Sequence, residues 1–138
     1  MAQFIGCWKG DVTKYQNYDA FAKASGIPED MLELYRTAET TMEYKKNGEI
    51  WTCIVKSNAF PEKTYDFKAG EEIISEDPLG NAVKFTVTIV SDTKMTETTS
   101  SEVMGWKTLK VVHEVKGNNL ISTHELDGVT MTAVSTRC

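Results

Sequence analysis

The chain has 138 residues, of which 41% are hydrophobic and 25% charged, an ordinary composition for a globular domain. Its 15 Lys and Arg against 20 Asp and Glu give a net charge of −5, which disfavours a general nucleic-acid binder because such proteins present a basic surface. No segment reaches the about 18 apolar residues of a membrane-spanning helix. We therefore expect one domain over residues 1–138 that does not bind nucleic acid.

The start of the chain and its cysteines give a first indication of location. The segment MAQFIGCWKGD lacks the long apolar core of a secretory signal, so we expect a cytoplasmic protein. Cys7, Cys53 and Cys138 show neither the spacing of a zinc site nor that of a disulfide framework. Cys138 is the last residue and is expected to be an exposed, oxidisable thiol.

Strand signals dominate the sequence and follow one another at regular spacing. Asn47-Gly48 and Asp127-Gly128 are strong signals of tight hairpins, because Gly, Asn and Asp tolerate positive φ angles. Ten short strands joined by tight turns indicate an antiparallel meander, and a closed or nearly closed barrel is the economical way to remove its edges. The predicted strands are 5–14, 39–46, 50–57, 63–68, 71–76, 82–90, 93–100, 106–116, 119–126 and 129–137.

The segment 17–38 interrupts this rhythm and predicts two short helices. The first ends at Gly26, a favourable helix C-cap. The second opens with Pro28 and two acids, which suit a helix N-terminus. It then carries an apolar stripe at helical spacing: Met31, Leu34 and Tyr35. Because the pair lies between the first and second strands of the meander, we expect it to be a lid over one open end of the barrel.

Two histidines share the apolar faces of the last three strands. Period-two alternation in LKVVHEV (109–115) places His113 in line with aliphatic residues. A packed core would leave buried imidazoles and hydroxyls without partners at roughly 1–3 kcal/mol each, whereas a cavity with water or a polar head group satisfies them. We therefore expect these faces to line a cavity. They comprise Leu109, Val111, His113 and Val115, then Leu120, Ser122, His124 and Leu126, then Val129, Met131, Ala133 and Ser135.

Several roles can be weighed for the histidine pair. As metal ligands, His113 and His124 lack acids or thiols on the same face. As a catalytic acid–base pair they lack an inward nucleophile with an orienting carboxylate, since Glu114 and Glu125 point outward. Two interpretations stay open: wall histidines that never touch a ligand, and direct or water-mediated contact with the polar end of a ligand. We predict no catalytic residue, no metal and no cofactor, and therefore no enzyme.

The chain resembles the intracellular lipid-binding proteins, the carriers of fatty acids, retinoids and bile acids. The resemblance covers essentially the whole length, and its tail and GIPEDML helix look closest to the liver-type fatty-acid and bile-acid-binding branches. It implies an all-β fold, a ten-stranded antiparallel up-and-down β-barrel (β-clam) with a two-helix lid between the first and second strands. Four motifs carry it: Gly6-Cys7-Trp8, NYDAFAKASGIPED, FKAGEEIISEDPLGNAVKF and HEVKGNNLISTHELDGVTMTAVS.

The resemblance implies a cytoplasmic, monomeric carrier that holds a long-chain fatty acid or related lipid inside the barrel. Its gate elements would be 28–36, the turn around Phe60 and 77–80, with transient membrane contact through the lid. Two alternatives stay open: a carrier of a neutral or amphipathic ligand such as a retinoid, sterol or bile acid, and a filled barrel that acts as a protein-interaction module.

The sequence departs from the family at the residues that hold a carboxylate. Many members use an Arg on the eighth strand and an Arg-x-Tyr pair on the last; here those positions are His113, Ala133 and Ser135. A shifted alignment would make Arg137 the anchor, but the turn at 127–128 favours the ungapped one. Without an Arg clamp we expect weaker selectivity for a carboxylate. The predicted ligand-binding residues are His113, His124, Ser122, Ser135, Ala133, Met131, Val111, Phe60, Leu34 and Arg137.

Overall fold

A computed structural model describes residues 3–138, which form ten β-strands and two α-helices, with short 3-10 turns at Val12–Lys14 and Glu102–Met104. The helices are α1 (Tyr18–Ser25) and α2 (Glu29–Thr37). The strands are β1 (Gly6–Gly10), β2 (Thr40–Asn47), β3 (Ile50–Ser57), β4 (Lys63–Lys68), β5 (Glu72–Glu76), β6 (Ala82–Ile89), β7 (Lys94–Ser101), β8 (Leu109–Lys116), β9 (Asn119–Leu126) and β10 (Val129–Arg137).

The strands form one antiparallel sheet in the order β4-β3-β2-β1-β10-β9-β8-β7-β6-β5. Neighbours along the chain pair throughout, except that β4 and β5 are the two edges of the sheet. The first and last strands pair with each other, and Trp8 lies opposite Arg137 in their ladder. The sheet therefore curls into a nearly closed barrel, which confirms the predicted up-and-down architecture and its two-helix insertion between β1 and β2.

The turn at Asp127-Gly128 agrees with its prediction, whereas the first strand is shorter than predicted. Asp127 and Gly128 form a two-residue hairpin loop with φ angles of 50° and 78°, as their sequence predicts. The prediction for the first strand, 5–14, was too long. β1 ends at Gly10 because the Asp11 carboxylate accepts a hydrogen bond from the Thr13 amide at 3.0 Å and caps a 3-10 turn.

The helix pair is present, although Leu34, part of the predicted apolar stripe of α2, lies on the exposed side of the helix. α1 packs on β9 and β10 and ends at Gly26, whose φ of 71° is the expected left-handed cap. In α2 the buried residue is Leu32, whereas Leu34 is 44% exposed. The inward face is fixed by Tyr35, whose ring lies 5.1 Å from that of Phe60, and by Arg36, which pairs with α1. Leu32 lies three and four residues before these anchors, on the same side of the helix.

Arg137 is held at the seam between β1 and β10. Its guanidinium lies 4.1 Å from the centre of the Trp8 ring and donates hydrogen bonds to the carbonyl oxygens of Gln3 and Ile5. Gly6 makes this approach feasible, because a Cβ on its backbone would come within 3.2 Å of the guanidinium. Trp8 is fully buried in the core, as its position in the sequence suggests.

Cys7 and Cys138 form a disulfide, which corrects the expectation of a free, exposed Cys138 thiol. The β1–β10 ladder brings the two together with their Cα atoms 5.2 Å apart, a separation that suits a disulfide. Sequence spacing could not indicate this pair, because its members are 131 positions apart. The bond links the first strand to the end of the last one, across the ladder that closes the barrel.

Cys138→Ser is expected to lower the free energy of unfolding by roughly 2–4 kcal/mol, because the cross-link no longer restricts the unfolded chain. Denaturant unfolding with and without dithiothreitol measures this effect. The reducing agent should bring the unmodified protein to the level of the variant and leave the variant unchanged. Equal stability under all four conditions would contradict a structural role for the disulfide.

Candidate functional site

The barrel interior contains a partly open cavity of about 220 Å³ walled by six strands. Phe85 and Val87 line it from β6. A mostly apolar wall with a few convergent polar groups is typical of a small-molecule site. The lining residues are Met42, Tyr44, Cys53, Val55, Tyr65, Phe67, Val83, Phe85, Val87, Glu97, Thr99 and His113.

Two larger grooves, of about 420 and 570 Å³, are bordered to a large extent by charged side chains. The first lies along the helix pair and the second near the β2–β3 and β4–β5 turns. Charged walls do not suit an oily ligand, so the barrel interior is the stronger candidate.

His113 lies in the wall of the cavity and is only 6% exposed. Its Nδ1 is 2.8 Å from the hydroxyl oxygen of Ser122, the residue opposite it in the β8–β9 ladder. Its Nε2 is 3.4 Å from Oε1 of Glu97 on β7. Both ring nitrogens therefore have partners within the protein, and the buried imidazole is held in place from two neighbouring strands.

Glu97 is a cavity residue that the sequence did not lead us to expect. It faces the cavity, and its second carboxylate oxygen accepts a hydrogen bond of 2.7 Å from the Thr99 hydroxyl. The expectation that the histidines have no acid on the same face was therefore wrong. A signal was present in KMTETTS, because Met95 is buried opposite His113 and the alternation from Met95 points Glu97 inward.

The environment of Glu97 favours its charged form. Burial on its own would raise the pKa of this carboxyl, but the hydrogen bond and electrostatic attraction of His113, the hydrogen bond from Thr99 and, at the acid pH where its ring is charged, His124 hold the pKa below its ordinary value. A hydrogen-bonded chain of four side chains thus crosses three strands of the wall: Thr99, Glu97, His113 and Ser122.

The other polar groups of the cavity are neutral near pH 7. Burial raises the pKa of the Cys53 thiol to about 12 and that of the Tyr65 hydroxyl to about 12. Burial also raises the pKa of Tyr44, which is hydrogen-bonded to Cys53, well above its ordinary value. Of the described side chains that line the cavity, Glu97 is the only carboxylate, and none is a Lys or Arg.

His124 lies on the same side of the sheet but outside the cavity wall. In the ladders it is opposite Val111 and Met131, and its ring lies 6.0 Å from that of Phe21 on α1. Within the described part of the chain, its buried Nδ1 has no hydrogen-bond partner. Burial and the charge of His113 lower the pKa of His124 to about 4, against the opposing effect of Glu97, so this ring is neutral near pH 7.

Most of the predicted ligand-binding residues lie away from the cavity wall. His113 lines the wall, and Ser122 reaches the site through its hydrogen bond to His113. Met131 packs under α1 against Phe21 and Leu126. The remaining inward positions on β8 and β10 are Val111, Ala133 and Ser135, which lie in the ladders beside His124, Ser122 and Leu120.

The three other predicted residues are placed outside the barrel interior or at its margin. Phe60 contacts Tyr35 of α2. Leu34 is on the exposed side of that helix, and Arg137 is at the β1–β10 seam. Among residues 3–138, no three His, Cys, Asp or Glu side chains are grouped so that they could hold a metal ion, and no helix has the length and apolar character to cross a membrane.

Known proteins match the chain over nearly its full length. Fatty acid-binding protein 1 of Fasciola gigantica is 34% identical over 124 residues, which are 89% of each chain. This chain belongs to the fatty-acid-binding protein family. The liver fatty acid-binding protein of Sus scrofa is 27% identical over 129 residues, 94% of this chain and 95% of the relative. No family model matches the chain.

A solved structure supports the same conclusion for the fold. The fatty acid binding protein of Schistosoma mansoni in complex with arachidonic acid matches with a TM-score of 0.88 at 27% identity, covering 100% of this chain and 98% of the other. Within the fatty-acid-binding protein family, this chain has His113 where the resemblance implied an Arg, and Ala133 lies on the inward side of β10.

The lowered pKa of His124 predicts a dependence of stability on pH. Because its pKa is near 4 in the folded protein and near 6.5 when unfolded, the unfolded chain binds more protons between these values. Stability is therefore lost as the pH falls from 6.5 to 4, by up to about 3 kcal/mol from this group.

Denaturant unfolding at several pH values, compared between the unmodified protein and His124→Gln, measures this contribution. The variant should lose less stability over the acid range, and the His124 ring signal in an NMR titration should stay that of the neutral imidazole down to about pH 5. A ring that titrates at its ordinary pKa would contradict its burial between α1 and the sheet.

Proposed function

We propose that this protein is a non-enzymatic carrier that binds a long-chain fatty acid in the barrel cavity. The observation that carries the proposal is the cavity itself, a mostly aromatic and aliphatic hollow with a small polar chain at one part of its wall. It is supported by relatives named fatty acid-binding proteins and by the Schistosoma mansoni structure with arachidonic acid.

The hydrophobic effect supplies enough free energy for such a ligand. Burying a chain of about sixteen carbons gains roughly 0.8 kcal/mol per methylene, about 12 kcal/mol before losses. Immobilisation removes part of this gain, yet micromolar binding needs only about 8 kcal/mol. The cavity is smaller than the roughly 300–1,000 Å³ common for ligand sites. We infer that flexible wall residues such as Met42 move when the acyl chain enters.

The alternatives are less well supported. A barrel filled by its own side chains and used for protein interactions does not fit an interior that contains a cavity. A retinoid, sterol or bile acid is less favoured than a fatty acid, because the relatives reported above are fatty-acid-binding proteins. The exposed Leu34 on α2 supports transient contact of a monomeric carrier with membranes during delivery.

Binding in the cavity can be tested with a blocking variant. Val87→Trp places a large ring in the wall and should weaken oleic acid binding at least about tenfold, because it removes the room for the acyl chain. Displacement of an apolar fluorescent dye by oleic acid measures the affinity. Thr88→Trp is the matched control, because Thr88 is on the exposed side of the same strand.

The outcomes of that titration separate the interpretations. Saturable micromolar binding by the unmodified protein and Thr88→Trp, with loss in Val87→Trp, supports the carrier. Circular dichroism should show that both variants are folded. Absence of saturable binding by the unmodified protein, or equal affinity in Val87→Trp, would remove the proposal.

We also propose that the carrier works in the cytoplasm. Cytosolic reductants keep most thiols reduced, so Cys7 and Cys138 should be a dithiol in the cell and form the disulfide under oxidising conditions. Trapping free thiols with an alkylating reagent at the moment of lysis, followed by mass spectrometry, determines their state. A fully formed disulfide in the living cell would contradict a cytoplasmic location.

A further inference from the structure

The cavity that we propose for a fatty acid already contains a negative charge. Glu97 is the only carboxylate among the described lining residues, and its two oxygens face Thr99 and His113. A fatty acid would bring a second carboxylate into the same hollow. The electrostatics of the site therefore depends on whether another group can compensate for that charge.

Of the groups that face Glu97 from the surrounding strands, one lies close enough to act as a cationic partner when it is protonated. Tyr44 on β2, Cys53 on β3 and Tyr65 on β4 all have raised pKa values and are neutral near pH 7. His124 on β9 is neutral there as well. His113 on β8 is the remaining cationic candidate, and its Nε2 is directed to Glu97.

The second nitrogen of His113 is also engaged. It lies 2.8 Å from the Ser122 hydroxyl, so the ring has no free N–H for a ligand carboxylate unless that hydrogen bond is broken. Two carboxylates close together in a poorly solvated site cannot both stay ionised without further cations, and one of them takes a proton.

We propose that Glu97 couples fatty acid binding to the uptake of a proton, so that the ligand and Glu97 hold one proton between their carboxyl groups. This inference rests on the proposed function, because it concerns the form in which the cavity accepts its acid. The proton comes from the solvent and forms an O–H bond on one of the two carboxyl groups. This O–H donates a hydrogen bond to the other carboxylate. No other bond is made or broken, and the pair of carboxyl groups keeps a single negative charge beside His113.

The proposal predicts a dependence on the head group at constant chain length. Oleyl alcohol can donate its hydroxyl to Glu97 and needs no proton. Oleylamine carries a positive charge that Glu97 attracts. Oleic acid needs the proton, so its affinity should fall as the pH rises, whereas the affinity for the alcohol should stay constant.

Glu97→Gln tests the coupling, because it keeps the shape of the side chain and removes its charge. At about pH 8 the variant should bind oleic acid about 10- to 100-fold more tightly than the unmodified protein, as expected for removing a like charge at close range. It should bind oleylamine more weakly and oleyl alcohol no more tightly, because a neutral amide is a weaker hydrogen-bond acceptor than a carboxylate. The ratio of the two proteins' dissociation constants at each pH cancels the ionisation of oleic acid in solution.

Glu114→Gln is the matched control, because it removes the same charge from a residue paired with Lys116, away from the cavity lining. It should leave all three affinities unchanged. If Glu97→Gln does not fold, calorimetry of the unmodified protein in buffers of different ionisation enthalpy still decides the question. Oleic acid should take up about one proton at neutral pH and oleyl alcohol none.

The possible failures can be told apart. If all three ligands bind and Glu97→Gln leaves the affinity for oleic acid unchanged, or if oleic acid binds without proton uptake, the coupling is wrong and the carrier stands. If none of the three ligands binds in a saturable manner, the proposed function fails as well.

Discussion

The ladder between β1 and β10 joins the first and last strands of the chain and turns a meander into a barrel. Without it, the sheet would have a second opening beside Trp8, and the inward faces of β8, β9 and β10 would have no opposite wall. The same ladder brings Cys7 beside Cys138 and places Arg137 on the Trp8 ring. A stacked cation and main-chain hydrogen bonds thus stabilise one seam, and under oxidising conditions a covalent bond adds to them.

Closing the barrel separates the Glu97 carboxylate from bulk water, so other side chains must compensate for its lost solvation. A carboxylate removed from water loses solvation worth several kcal/mol, which a partner charge and hydrogen bonds must offset. For Glu97 the compensation comes from Thr99 on its own strand and His113 on the next, and His113 is in turn held by Ser122. The four side chains act as one unit, since removing any of them leaves a neighbour without its partner. The rest of the cavity is apolar and can accept an acyl chain.

The sequence was informative where local pattern decides structure. The period-two face of the last strands points inward, because alternation and the tight turn at Asp127-Gly128 together fix their register. Of the two histidines on this face, only the buried His113 lines the cavity as expected. The helix pair and its Gly26 cap also follow from local signals. These features need no knowledge of which strands become neighbours.

The features that the sequence did not reveal depend on distant contacts or on a choice between two faces. The disulfide joins residues 131 positions apart and becomes apparent only after β1 meets β10. β7 is polar on both sides, so its pattern did not distinguish the inward Glu97 from the outward positions without Met95 as a reference. The position of Leu34 on α2 was misjudged for a similar reason, since Tyr35 and Arg36 orient the helix through partners elsewhere in the chain.

We propose that the barrel holds a fatty acid whose carboxyl group lies beside Glu97. The proposal rests on membership of the fatty-acid-binding protein family and on the acid–histidine pair in the cavity. A crystal structure of the complex with oleic acid tests this most directly. We expect an acyl chain along Phe67, Phe85 and Val87, with a carboxyl oxygen about 2.5–2.7 Å from an oxygen of Glu97, the distance of a hydrogen bond that shares a proton. An acyl chain outside the barrel, or a carboxyl group at the surface beside α2, would contradict it.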